Sequence, residues 1–145
     1  MSTWVRIRDE VRTREALLET AARAASGFAS LGAAPGDVVT VYLRNDFALM
    51  EASIGAGMTG AYVTPANWHS TPDEARYIFE NSGAKAIVIH ADLLRGVEAA
   101  LPAGVPVLVV ETPEYIRDAY GLSPESCAVP AGYTSFYDWV GRFPR

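Results

Sequence analysis

Apolar residues recur at spacings of three and four from Leu17 onward: Leu17, Ala21, Ala24, Phe28 and Leu31. That period predicts an amphipathic helix over residues 13–31, with Thr13 as its N-cap and Gly32 just past its end. After the turn Ala33-Ala34-Pro35-Gly36-Asp37 the period changes. Val38-Val39-Thr40-Val41-Tyr42-Leu43 is a continuous β-branched run, suited to a strand buried on both faces. Asn45 or Asp46 then caps a second helix. Its apolar face is expected to carry Phe47, Met50, Ile54 and Met58, and Gly60 ends it. Residues 61–64 form a second strand. It runs into the polar loop that holds Asn67, Trp68 and His69.

Thr71-Pro72-Asp73-Glu74 is a strong helix start. Thr71 and Glu74 have the spacing of a capping box, and Pro72 stands where its missing N–H is harmless. The helix 72–81 buries Ala75, Ile78 and Phe79, and Asn81-Ser82-Gly83 stops it. Lys85–His90 is a third strand. A helix over about 91–101 carries Leu93, Leu94, Val97 and Leu101, and Pro102-Ala103-Gly104 breaks it. Residues 107–110 form a fourth strand. Strands and helices thus alternate at the spacing of βα units. The pattern predicts an α/β fold: an open, mainly parallel sheet of about four strands with helices on both faces, right-handed crossovers and spatial order 2-1-3-4. Beyond Glu111 the alternation fails. The segment is rich in aromatics, holds four of the nine prolines and shows no clear strand. Short helices are expected at 114–120 and 135–140.

Composition narrows the function classes. The chain has 145 residues, half of them apolar, and a net charge of −5. It lacks the basic footprint that binds nucleic acid. The single cysteine, Cys127, excludes an internal disulfide and a cysteine-based metal site. His69 and His90 lie too far apart in sequence to make a zinc site alone. Residues 1–10 are charged and unlike a signal peptide, and no apolar run reaches the ~18 residues that span a bilayer. A cytoplasmic protein is the expectation.

Gly55-Ala56-Gly57-Met58-Thr59-Gly60 matches the dinucleotide pattern G-x-G-x-x-G letter for letter. Phosphate binding needs those glycines at a helix N-terminus after a strand. Here they fall in the last turns of a helix, where the dipole has the wrong sign. The expected role is close packing of the helix on the sheet, with Gly60 as the stop. Asn67, Trp68 and His69 lie at a strand's carboxyl end, where ligands gather in open α/β sheets, and are the substrate-binding candidates. Their structural alternative is a turn bond from Asn67, a covering role for Trp68 and a solvated His69. His90 is expected to cap the next helix, and Cys127 has no histidine neighbour that would activate it. Asp73, Glu74 and Glu80 read as a solvated helix face. No G-x-x-x-x-G-K-[ST], G-x-S-x-G or H-E-x-x-H is present.

The ordered set of segments resembles the start of the adenylate-forming acyl-CoA synthetases, the AMP-binding ligase family. The resemblance runs from Leu17-Leu18-Glu19-Thr20-Ala21-Ala22-Arg23 through Gly36-Asp37-Val38-Val39-Thr40-Val41-Tyr42-Leu43-Arg44-Asn45. It continues with Gly57–Asn67, Thr71–Ile78 and Asn81-Ser82-Gly83-Ala84-Lys85, and covers roughly residues 13–111. Asn67-Trp68-His69 is similar to a bacterial subset assigned to fatty and other carboxylic acids. The resemblance implies ATP-dependent activation of a carboxylate to an acyl-adenylate, then thioester formation with coenzyme A, with ATP, Mg²⁺ and CoA used by the full-length enzyme. The family's phosphate loop, ribose-binding aspartate and catalytic lysine have no counterpart in these residues. The chain is therefore expected to hold no catalytic, cofactor-binding or metal-binding residue and to be an inactive scaffold by itself. Residues 1–111 would be an N-terminal α/β subdomain, and 112–145 an irregular extension toward the remainder of the ligase. The expected partners are that remainder or a second copy, with no nucleic acid and no membrane span. Two other readings stay open: a free-standing small-ligand or nucleotide-binding module using Asn45, Asn67, His69 and His90, or an interaction domain.

Overall fold

Five parallel strands carry the fold: β3 (Val38–Tyr42), β4 (Tyr62–Pro65), β5 (Ala86–His90), β6 (Val107–Val110) and the two-residue β7 (Thr134–Ser135), in the order β4-β3-β5-β6-β7. They are drawn from a computed structural model, which describes residues 3–145. The first four strands take the order read from the sequence. The strand count does not: β7 adds a fifth. It is short because only Thr134 and Ser135 pair with Leu108 and Val109 before the chain turns into a helix.

Side chains alternate between the two faces of the sheet. Val39, Val41, Val88, Leu108 and Val110 face one layer, built from α1 (Arg14–Ser30), α2 (Phe47–Met58) and α7 (Phe136–Val140). Tyr42, Ile87, Ile89 and Val109 face the other, built mainly from α3 (Pro72–Ser82) and α4 (Ala91–Val97). A 3₁₀ turn at Glu98–Ala100 tightens the end of α4. Two small helices, α5 (Glu114–Tyr120) and α6 (Pro124–Cys127), follow β6. Residues beyond 111 are not irregular. Phe136, Trp139 and Val140 are buried in the same core as α1 and α2, so that core runs across the expected boundary at 111.

The capping signals work as the sequence predicts. Thr71 Oγ1 accepts the Glu74 amide at 3.2 Å, and Glu74 Oε2 accepts the Thr71 amide at 3.0 Å. Asp46, not Asn45, caps α2. Residues 4–13, which the periodicity left without an element, form an antiparallel hairpin of β1 (Trp4–Ile7) and β2 (Glu10–Thr13). Its Arg8-Asp9 turn lacks the usual Asn-Gly signature, and Arg8 itself adopts φ +53°.

One helix face differs from the expectation. α2 buries Ala48, Glu51, Ala52, Gly55 and Ala56, while Ile54 and Met58 are exposed. The reason is the distance to α1. A Cβ at Gly55 would lie 2.7 Å from the Ala21 carbonyl oxygen and 2.9 Å from the Ala24 Cβ. The glycine and alanine stripe therefore lets α2 approach α1, not the sheet alone, and bulky residues are turned outward. Gly60 stops the helix with φ +84°, as read.

Candidate functional site

The carboxyl ends of β3, β5 and β6 place a set of polar side chains side by side. After β3 come Arg44 and Asp46, at the end of β5 come His90 and Asp92, and after β6 comes Thr112. Each stands at the end of a strand or within four residues after it, so the strand ends deliver them to one edge of the sheet. All but the half-buried Asp92 count as buried residues, and its side chain is almost fully covered.

His90 Nδ1 accepts the Arg44 backbone N–H at 3.0 Å. The ring proton therefore sits on Nε2, which donates to Asp46 Oδ2 at 2.9 Å. Asp46 Oδ1 accepts the Phe47 amide at 2.7 Å and the Tyr115 hydroxyl. Burial alone would raise the Asp46 pKa. The bonds from His90, Tyr115 and Phe47 outweigh it and hold the carboxyl below its ordinary value. His90 stands at the N-cap position of α4 but makes no capping bond there. Its ring ties β5 to β3 instead, which corrects the capping role read from the sequence.

Beside this group, Arg44 Nε and Nη2 donate to Asp92 Oδ2 at 3.0 and 2.8 Å. Thr112 donates its hydroxyl to Asp92 Oδ1 at 2.7 Å and accepts the Asp92 amide at 3.1 Å. The guanidinium lies in the corner formed by the edge-to-face rings of Trp68 and Tyr120, 4.3 and 4.2 Å from their centroids. These cation–π contacts cover an ion pair already shielded from water.

The three loop candidates do not converge. Asn67 Oδ1 accepts the His69 amide at 2.9 Å, and both residues are exposed. Trp68 is half-buried. It stacks on His69 with centroids 3.6 Å apart and also covers Arg44. Asn45 is exposed while His90 is fully enclosed, so the residues of a free-standing ligand module do not share an open surface. Cys127 is buried, and its carbonyl accepts the Thr112 amide at 2.9 Å. Arg44, Asp92, Thr112 and Tyr115 were not singled out from the sequence. The available signal was a polar residue just after each apolar run; their pairing needed the strand order.

A second buried ionic group joins the hairpin to the body. Glu51 Oε1 accepts Arg12 Nη1 at 2.7 Å and the Tyr137 hydroxyl at 2.6 Å, while Oε2 is buried without a partner. The Arg12 guanidinium also sits 4.4 Å from the Phe47 ring centroid. Burial raises the Glu51 pKa, and the bonds from Tyr137 and Arg12 offset that only in part. The folded chain therefore holds a proton on Glu51 at pH values where the unfolded chain, near 4.5, has released it. Stability from this group is full below pH 4.5 and is lost as pH rises through the raised value. Asp46 acts oppositely: its contribution is present above the ordinary 3.8 and is lost as pH falls through the lowered value. Glu51→Gln is expected to remove the decline in stability above pH 4.5. At pH 8 it should stay within about 1 kcal/mol of the parent, because Arg12 is partly solvated. Urea titrations at successive pH values check this.

Among the described residues, no group of three or more His, Cys, Asp or Glu side chains could hold a metal ion. A cavity of about 300 Å³ lies between the hairpin turn and α5, but Asp9, Glu10, Glu114 and Asp118 line it against a single Arg8. Four carboxylates repel a triphosphate. The glycines of the G-x-G-x-x-G stretch lie in the last turn of α2 and just after it, so no helix N-terminal amides face outward there.

Comparison with known proteins gives a consistent answer. Residues 4–129 match the family described as AMP-binding enzyme. A 4-coumarate–CoA ligase 3 of Oryza sativa subsp. japonica is 40% identical over 90 residues, covering 61% of this chain and 16% of that protein. A medium/long-chain-fatty-acid–CoA/3-oxocholest-4-en-26-oate–CoA ligase of Mycobacterium marinum is 32% identical over 106 residues, covering 71% of this chain and 19% of that protein. The fold is similar to that of a benzoate CoA ligase from Burkholderia xenovorans LB400, with a TM-score of 0.72 and 22% identity, over 94% of this chain and 24% of that one. The chain thus spans about a fifth or less of the length of these curated relatives.

Proposed function

Because the chain belongs to the AMP-binding enzyme family, we propose that it serves as the N-terminal α/β scaffold of an acid–CoA ligase. The complete enzyme would join a carboxylate to AMP with release of pyrophosphate. It would then pass the acyl group to the thiol of CoA and release AMP. The family match over residues 4–129 carries this reading. The strand-end geometry supports the scaffold role: Arg44, Asp46, His90, Asp92 and Thr112 bond to one another, which leaves them engaged and covered. ATP, Mg²⁺ and CoA would bind polypeptide beyond these residues. The acid is an apolar one, fatty or aromatic, as the names of the similar proteins suggest, and the setting is cytoplasmic. Asn67 and His69, exposed at the carboxyl end of β4, are the residues of this chain offered to the substrate side, with Trp68 fixing their loop.

The test is ATP–pyrophosphate exchange with decanoate and 4-coumarate. The 145-residue chain alone is expected to give no exchange above background. The same chain, fused in place of the matched segment of the rice 4-coumarate–CoA ligase 3, is expected to support it. Acyl-adenylate formation by the chain alone overturns the scaffold role, and a soluble but inactive fusion overturns the ligase assignment.

A further inference from the structure

α2 is a surface helix without an exposed charge. Its sequence, Phe47–Met58, holds one ionisable residue, Glu51, and that side chain is turned inward onto Arg12 and Tyr137. What faces outward is Met50, Ile54, Gly57 and Met58, with Ile54 40% and Met58 50% exposed. A groove of about 260 Å³ runs beside it, lined by Trp4, Leu18, Met50 and Ile54, with Arg14 the only charged wall among the described residues. Trp4 is itself 57% exposed. The other helices do not share this character. α3 exposes Asp73, Glu74, Arg76 and Glu80, and the outer positions of α1 include Glu15, Glu19 and Arg23. A helix apolar on all sides is normally enclosed within a larger protein.

We propose that the outward face of α2, extended by Trp4 and Leu18, is a docking surface for the downstream polypeptide of an AMP-binding ligase. This rests on the ligase reading above and names the face through which that reading operates. The occupant is the remainder of the ligase because the similar ligases carry about four-fifths of their length outside the matched region, and that polypeptide must pack somewhere. The chemistry of the face fits an apolar segment. Gly57 sharpens the geometry: a Cβ there would meet nothing within 4 Å, so bare helix backbone is offered to an approaching element.

The experiment compares the same substitutions in two settings, the 145-residue chain and its fusion to the remainder of the rice ligase. Gly57→Arg and Ile54→Lys place charge on the proposed face, and Tyr77→Arg, on α3, is the control. In the chain alone, Gly57→Arg leaves the thermal midpoint unchanged or a few degrees higher, because arginine replaces glycine in an exposed helix. In the fusion, Gly57→Arg and Ile54→Lys each lower the midpoint by about 5 °C or more, whereas Tyr77→Arg does not. Equal behaviour in both settings overturns the proposal, since the face then stays in water. Sensitivity of the fusion to Tyr77→Arg alone also overturns it, while the exchange assay still reports on the ligase reading. A chain that dimerises by itself, and is made monomeric by Gly57→Arg, overturns it in favour of a second copy. A fusion that shows no cooperative transition overturns both readings together.

Discussion

Asp92→Ala is expected to destabilise the chain by about 3–5 kcal/mol, because it leaves a buried guanidinium without its counter-ion. Arg44 is 8% exposed, both of its bonded nitrogens donate to Asp92 Oδ2, and its Nη1 is already buried without a partner. The aromatic rings of Trp68 and Tyr120 cannot replace a carboxylate as acceptor. Thr112 also loses the acceptor of its hydroxyl. The double variant Arg44→Met/Asp92→Ala should regain much of the loss, since an apolar side chain of similar length removes the stranded charge. Guanidinium denaturation of the two single variants and the double variant measures the coupling. Additive losses would show that the pair does not act as a unit, and Arg44 would then have to be solvated in the folded chain.

The second large effect concerns Trp139, whose ring fills the space beside a glycine of α1. Trp139→Ala should cost about 3–5 kcal/mol, the range for removing a large buried aromatic. The ring packs on Phe28, Phe136 and Phe143, at centroid distances of 5.3, 6.2 and 5.1 Å. A Cβ at Gly27 would lie 2.4 Å from Trp139 Cη2. Gly27→Ala should therefore destabilise the parent by roughly 1–3 kcal/mol, as overpacking does. In the Trp139→Ala background the same change should be stabilising, because the clash is gone and alanine favours the helix. That reversal of sign, read from thermal melts of the four proteins, is specific to direct contact between the two positions. A Gly27→Ala effect with the same sign in both backgrounds would disprove the packing of α7 against α1.

These two clusters bear differently on function. The Arg44–Asp92 and Asp46–His90 groups hold the carboxyl ends of β3, β5 and β6 together. The Trp139 cluster holds α7 onto α1, and so anchors the last described segment on the helical layer that also contains α2. Failure of either would loosen the platform, the effect that the proposed scaffold role requires.

Much of this arrangement follows from local pattern. The period of apolar residues marked α1, and the β-branched runs marked β3 and β5, because spacing alone decides which face a residue occupies. Thr71-Pro72-Asp73-Glu74 started α3 because capping is a contact between neighbours in the chain. The placement of the glycines at a helix end was also legible. The hairpin was missed because its turn uses Arg8 with a positive φ, held by the strands on either side. β7 was missed because a two-residue strand has no period of its own.

Tertiary structure alone decided three things. It turned α2 so that Gly55 and the alanines face α1, since a close backbone approach at Ala21 outweighs the burial of methionine and isoleucine. It enclosed His90 by bringing Asp46 from 44 positions away to its Nε2. It paired Arg44 with Asp92 across 48 positions. A sequence shows each of these residues as a polar group after a strand, but which charge meets which depends on strand order, and strand order is a property of the assembled sheet.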